Sequence, residues 1–397
     1  GAFSGGEAQL EGGPRSKYGG PDPDDSSGVL RYVRIEFPGI ALSPNNETNG
    51  LTMGGVGRKT VIDHIHVSYG GDDGYEWFGG TVNAKYLIGQ ASLDDCWDTD
   101  FGWSGMVQFG VSISDPNIAD VSGSNGFEAD NNNPPSFANP RSKGIFSNMS
   151  VIGPQPDTAA TFNALYRNGG HIRRNSQQSI YNSIIMGWPG ALIMDGTGVT
   201  NGATADTVQI RNTIFAGLRQ GKDFTANSGN PFNTKNWVST PSYGNSLYTQ
   251  PVEVMLEDAF RINNPNFTPK SGSPALSGAD FTSSHLNDPF FEKVTYRGAF
   301  GTSRWDEGWT NYDPKNTVYA PNAALSTTSV AFAQTETGKQ RDTIVSALIT
   351  NTGNLAAKVS SMTISGSTEF EIVDPIGSFV VLARESRDIK LRFKPTT

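Results

Sequence analysis

Four short stretches decide the fold: Leu51-Thr-Met-Gly54, Tyr75-Glu-Trp-Phe78, Trp97-Asp-Thr-Asp100 and Phe127-Glu-Ala-Asp130. Their starts are 24, 22 and 30 residues apart, and Leu192-Ile-Met-Asp195 is a looser copy further on. Between them run alternating, β-branched segments closed by Gly, Asn or Asp. These are Leu30–Phe37, Val61–Val67, Asn83–Ile88, Val107–Ile113, Ile145–Ile152, Ser179–Ile185 and Val208–Phe215, and period and composition predict strands for all of them. Two strands recurring every 22 residues or so, with insertions, describe one coil per repeat, and such coils stack into a parallel β-helix. Parallel crossovers are almost always right-handed, so a right-handed β-helix is expected over residues 1–312, with a Gly-rich segment at its start. A Greek-key sandwich would give no such recurrence.

Composition agrees. Gly 46 and Pro 23 together make up about 17% of the chain, charged residues another 17% and hydrophobic residues 36%. A turn-rich, strand-rich chain of this kind excludes a helical bundle, a coiled coil or a charged disordered protein. With a net charge of −9, a pI near 5.0 and no Lys/Arg-rich run, the chain opposes a phosphate backbone, so no nucleic-acid partner is expected. No apolar run approaches the roughly 18 residues of a membrane helix, so no membrane span is expected. The start at Gly1, without a charged-then-apolar leader, suggests a processed or incompletely observed product. Only Val252–Ile262 reads as a short helix.

Beyond the repeats the pattern loosens. Residues 313–326 are rich in Asn, Thr, Pro and Ala and read as a linker. Six strand candidates follow in 327–397: Val330–Gln334, Thr343–Thr350, Val359–Ser365, Phe370–Val373, Phe379–Leu382 and Ile389–Phe393. Short strands at this spacing predict a small immunoglobulin-like β-sandwich, which makes the whole chain all-β.

The Asn-containing strands Ile180-Tyr-Asn-Ser-Ile-Ile185 and Ile210-Arg-Asn-Thr-Ile-Phe215 resemble those of right-handed parallel β-helix proteins of the pectate-lyase-like superfamily. Segments 28–37, 74–80 and 294–300 resemble an uncharacterised secreted group of such proteins, to which no activity attaches. In the tail, Ile349-Thr-Asn-Thr-Gly353 and Ile389–Pro395 are similar to hydin-type and choice-of-anchor immunoglobulin-like modules. That resemblance implies an extracellular or cell-surface location.

In a parallel β-helix, equivalent residues stack about 4.8 Å apart from coil to coil, so Glu76, Asp98 and Glu128 are expected in one column. Asp100 and Asp130 should form a second column on the same face. Asp72, Asp73, Asp94 and Asp95 flank them from the turns. So many carboxylates need a cation or basic partners, and hard oxygen donors in this number suit Ca²⁺, with Glu76, Asp98, Asp100, Glu128 and Asp130 as candidate ligands. The column could instead be solvated, or paired with arginines such as Arg167, Arg173, Arg174 and Arg211.

Two enzyme schemes could use this groove. A polysaccharide lyase needs a cation for a uronate carboxylate and a base, for which Arg173 or Arg174 would serve. A glycoside hydrolase needs two carboxylates about 5–9.5 Å apart, which any column supplies. Neither scheme is specific to this chain.

Alternation places Tyr75, Trp77 and Trp97 opposite the acids, in the core. Cys96 is expected to be a small buried side chain, and His64 and His66 to pack or hydrogen-bond rather than hold metal. Trp305 and Trp309 should cover the end of the coil stack or its junction with the linker. The Gly1–Gly20 run has few apolar residues with which to shield the first coil, so self-association through β-helix ends is a further expectation. The leading reading is a non-catalytic extracellular or cell-surface protein for adhesion, glycan contact or surface assembly, with a polysaccharide or another surface protein as partner. The alternative is a Ca²⁺-dependent polysaccharide lyase or related carbohydrate-active enzyme.

Overall fold

In a computed structural model, residues 7–10, 16–40, 42, 47–218, 223–227 and 229–396 are described. The chain divides into two compact units, Gly1–Pro314 and Lys315–Thr397.

The first unit is built from two parallel sheets. Leu51–Gly54, Tyr75–Phe78, Trp97–Asp100, Phe127–Ala129, Gly170–Ile172, Leu192–Met194 and Phe224–Ala226 pair in sequence order in one of them. The other begins with the longer strands Val29–Glu36, Val61–Ser68, Ala84–Gln90, Met106–Ile113 and Ile145–Ile152. It continues through Ser179–Tyr181 and Ile184–Met186, then Ile210–Arg211 and Ile214–Ala216, and ends at Ser246–Tyr248. Parallel neighbours in sequence order, with each coil adding one rung to each sheet, make a parallel β-helix.

Alternation fills its interior. Tyr75, Trp77, Trp97, Trp103, Phe127 and Phe146 are fully buried, and the rings of Tyr75 and Trp97 stack at 5.0 Å on successive coils. Tyr75 also satisfies its hydroxyl by donating to the Ile65 and Ile88 carbonyls, at 2.8 and 2.9 Å. Cys96 is buried, as expected, and the coil closes so tightly on it that a Cβ at Gly89 would sit 2.1 Å from its sulfur.

Each long strand bends at one residue with left-handed backbone: Tyr32, His64, Tyr86 and Phe109, then Asn148, Asn182 and Asn212, with φ between 51° and 62°. That conformation costs most residues about 1–2 kcal/mol. Ring stacking between neighbours at 4.3, 4.5 and 5.2 Å offsets it at the aromatic positions, and Asn tolerates it intrinsically. Asn182 and Asn212, inside the strands that suggested the family resemblance, are therefore the bend residues.

The coils end at Ser246–Tyr248. Residues 250–312, expected as further β-helix, instead form a strap of 3₁₀ turns and one antiparallel pair, Leu256–Asp258 with Asn266–Pro269. The strap covers outward-facing Ile88, Val111, Ile113, Ile152, Ile184 and Ile214 with Phe267, Ala299 and Phe300, forming a second core outside the helix. Polar residues beside that core grip its backbone: Gln90 Nε2 donates to the Ile262 and Tyr312 carbonyls, and Gln108 exchanges two hydrogen bonds with Glu292, at 2.7–2.8 Å.

The helix expected at Val252–Ile262 is not formed. Pro251–Val254 makes a single 3₁₀ turn, stopped by Met255 at φ 57°. Two short helices stand instead at Thr197–Thr204 and Thr234–Val238, where Gly198, Gly202 and polar residues gave no amphipathic pattern. Trp305 and Trp309 do not close the coil stack. They cross the outer aromatic ladder, edge-on to His64 at 6.1 and 5.5 Å. His64 thus packs within the ladder, and buried His66 donates from Nε2 to the Gln90 side-chain oxygen at 3.1 Å.

Of the Gly1–Gly20 run, residues 1–6 and 11–15 lie outside the described residues. The rest pairs Ala8–Gln9 with Lys17–Tyr18 and sets buried Tyr18 against Gly54 and Phe78.

The second unit contains small antiparallel sheets. One has four strands in the order Ala323–Leu325, Arg341–Asn351, Ser386–Phe393, Phe370–Asp374, and the other pairs Ala357–Val359 with Phe379–Val381. Leu348, Ile349, Val381 and Ile389 form its core. Val330–Gln334 is not a strand. Ala323–Leu325, in the stretch read as linker, takes an edge position against Ile349–Asn351.

Candidate functional site

Strand register builds the site. Thr52, Glu76, Asp98, Glu128, His171, Ile193 and Thr225 are consecutive rungs of one parallel ladder. Glu76, Asp98 and Glu128 therefore stack as the repeat spacing predicts, and they point away from the aromatic core because their neighbours in sequence fill it. Asp100 is opposite Phe78, and Asp130 follows it with its N–H on the Thr99 carbonyl at 2.8 Å. The turns before the strands bring in Asp72, Asp73, Asp94 and Asp95. All of these acids except Asp95 line an acidic cleft of about 560 Å³, with Phe78, Phe101 and Val121 as its apolar wall.

The carboxylates fall into two electrostatic groups. At one end Arg173 pairs with Glu128 and with Asp130 (2.9 Å), and Arg174 pairs with Asp130 (2.6 Å). His171 lies 3.6 Å from Glu128 and 3.1 Å from Asp195. Burial alone would push the Glu128 carboxyl up, but His171 and Arg173 outweigh it and hold it below the usual range. Asp130 stays raised because burial outweighs its two arginines. For His171 the two carboxylates overcome burial and raise the imidazole.

At the other end Asp73, Glu76 and Asp98 bring carboxylate oxygens within 4.8 Å of one another, and Asp72, Asp73 and Asp94 do the same. Neutral groups supply hydrogen bonds here. Asp73 accepts from the Asp95 N–H at 2.8 Å, Glu76 from the Asn49 amide, and Asp95 from the Asn125 N–H. Among the described residues, buried Asp98 Oδ1 and Asp94 Oδ1 meet no hydrogen-bond partner. Burial, reinforced by neighbouring acids, raises Asp73, Asp95 and Asp98 well above the ordinary carboxylate range. Asp94 and Asp100 are each pushed up to about 7, chiefly by burial.

The structure thus sorts the five sequence candidates for metal. Glu76 and Asp98 converge with Asp73, whereas Glu128 and Asp130 face Arg173 and Arg174, and Asp100 stands beside Asp130. Three carboxylates suit a hard divalent cation, which would complete its shell with further oxygens. Sequence reasoning had Asp73 only as a flanking turn residue. The sequence shows His171 only as one of four scattered histidines without zinc spacing and does not place it in the column, because Gly170-His-Ile172 lacks the aromatic-acid form of the other rungs.

A parallel β-helix with a stacked acidic cleft on one sheet defines the class. The pectate-lyase-like beta-helix domain family matches residues 2–249, ending one residue past the last parallel strand, and the chain belongs to that family. No curated protein and no solved structure matches it.

Proposed function

We propose that this is an extracellular or cell-surface β-helix protein that binds Ca²⁺ in its acidic cleft and contacts a glycan there without cleaving it. One observation carries the reading: among the described residues buried Asp98 Oδ1 has no hydrogen-bond partner, and the Asp98 carboxylate comes within 4.8 Å of those of Asp73 and Glu76. Several kcal/mol of desolvation per buried charge call for a counter-ion, and a divalent cation on these oxygens supplies one.

The non-catalytic part rests on the arginines. A lyase base must shed a proton, but Arg173 lies between Glu128 and Asp130, which raise its affinity for that proton against the effect of burial. Arg174 is bound to Asp130. Both arginines therefore suit charge compensation better than proton abstraction.

Isothermal titration of the chelator-treated chain with Ca²⁺ tests the reading. Saturable binding that Asp98→Asn abolishes is the expected result. No binding, or binding indifferent to Asp98→Asn, overturns it. Release of unsaturated products from a polysaccharide would favour the lyase.

A further inference from the structure

The cleft holds far more carboxyl groups than one ion and its own arginines can engage. Ten carboxylates line it against two guanidinium groups, and those two are engaged by Glu128 and Asp130. An ion held by Asp73, Glu76 and Asp98 would leave Glu47, Asp72, Asp94, Asp100 and Asp120 as the remaining acids of the lining. A uronate chain would bring a further carboxylate with every sugar into a partly desolvated space, where like charges repel most strongly.

Two features point to a ligand rather than to bare acidic surface. Among the described residues Asp98 Oδ1 is buried and meets no hydrogen-bond partner, and Asp98 belongs to the cleft lining. Beside the acids, Phe101 stacks on Phe78 at 5.8 Å, and Val121, 87% exposed, extends the apolar side of the cleft. An apolar wall facing carboxylate acceptors suits a sugar ring, which has an apolar face and a hydroxyl edge.

We infer that the glycan bound in this cleft carries free amino groups: ammonium-bearing amino sugars, with their nitrogens on the remaining carboxylates and ring faces against Phe101 and Val121. The inference rests on the glycan-contact reading above and narrows its ligand class.

The test is calorimetric titration of the full chain at pH 6.5, with saturating Ca²⁺ and again with chelator. The probes are a glucosamine hexamer, its fully N-acetylated counterpart and a galacturonate hexamer. The expected result is binding of the glucosamine hexamer that weakens as salt is raised, at least tenfold weaker binding of the acetylated form, and no binding of galacturonate. The double substitution Glu47→Gln, Asp120→Asn should weaken glucosamine binding at least fivefold while leaving the Ca²⁺ titration unchanged. Equal affinity for the acetylated hexamer, tighter binding of galacturonate, or equal binding of a lysine hexamer would overturn the amino-sugar assignment. Ca²⁺ binding without glucosamine binding defeats this inference alone, and glucosamine binding without Ca²⁺ binding defeats the ion reading alone.

Discussion

Asp98 and Glu128 are register partners on neighbouring parallel strands, yet their charges meet opposite surroundings. Glu128 is paired with Arg173, lies 3.6 Å from His171, and is held below the usual carboxylate range. Asp98 has no salt-bridge partner among the described residues, and burial, then Glu128, Asp130 and Asp100, drive it well above that range. One step along the ladder separates a compensated carboxylate from an uncompensated one. The protein's response to pH, cations and substitution should divide at that step.

The pH response follows from the raised groups. Asp94 and Asp100 titrate near 7 when folded, against an ordinary 3.8, so the folded state holds extra protons between those values. Their stabilising contribution is complete below about 4 and is lost as pH rises through 7. His171, also raised, acts in the same direction above 6.5. Buried His66, lowered to about 3, acts oppositely, but only as pH falls below 6.5. Chelator-treated protein should therefore melt at a lower temperature at pH 8 than at pH 6.5. Ca²⁺ should raise the melting temperature more at pH 8, because an ion bound only by the folded state stabilises it by mass action. Scanning calorimetry at the two pH values checks both, and a Ca²⁺ effect that shrinks with rising pH contradicts the site.

Asp98→Asn removes the uncompensated charge while keeping the shape. In chelator at pH 8 the variant should be more stable than the parent, by on the order of 1–3 kcal/mol, because a neutral amide no longer repels the neighbouring acids in a partly desolvated space. In excess Ca²⁺ the order should narrow or reverse. Urea unfolding in the two buffers measures this, and a variant destabilised equally in both would mean that Asp98 is satisfied within the protein.

Arg173→Ala attacks the compensated end. It strands Glu128 and Asp130, whose side chains are only 14% and 5% exposed. Breaking a buried pair costs about 3–5 kcal/mol. Arg174 remains on Asp130 and Arg173 is itself a quarter exposed, so the loss should fall at or below the lower end. Arg173→Lys should recover part of it. A loss under about 0.5 kcal/mol, the scale of an exposed pair, would show that solvent already screens these charges.

What the sequence made legible was whatever repeats. The spacing of Tyr75, Trp97 and Phe127 set the coil, and alternation placed Glu76, Asp98 and Glu128 outside and Trp77 and Trp97 inside. His171 breaks the aromatic-acid pattern, so its place as the next rung was not legible. The strap over 250–312 was illegible for a different reason. Its contacts with Gln90, Gln108 and Asn148 span roughly 150–220 residues of sequence and have no period to read. The division of the acids into paired and unpaired sets also depended on distance, since Arg173 lies 43 residues from Asp130.

The strap and the bend meet at Asn182, which is fully buried with φ 51°. Its side-chain oxygen accepts from the Asp280 N–H at 2.8 Å, and its amide donates to the Asp280 carbonyl at 3.1 Å. Asn182→Ala loses both bonds and keeps the left-handed backbone, so it bears a cost of about 1–3 kcal/mol for the unsatisfied groups and about 1–2 kcal/mol for strain. Asn182→Gly loses the same bonds but relieves the strain, against an entropic penalty of about 0.5–1 kcal/mol in the unfolded chain. Both variants should therefore be destabilised, with glycine the milder by about 0.5–1 kcal/mol in urea unfolding. Amide exchange at Asp280 should rise in both. If alanine proves no worse than glycine, the bend stores no strain at this rung. If exchange at Asp280 is unchanged, Asn182 does not anchor the strap.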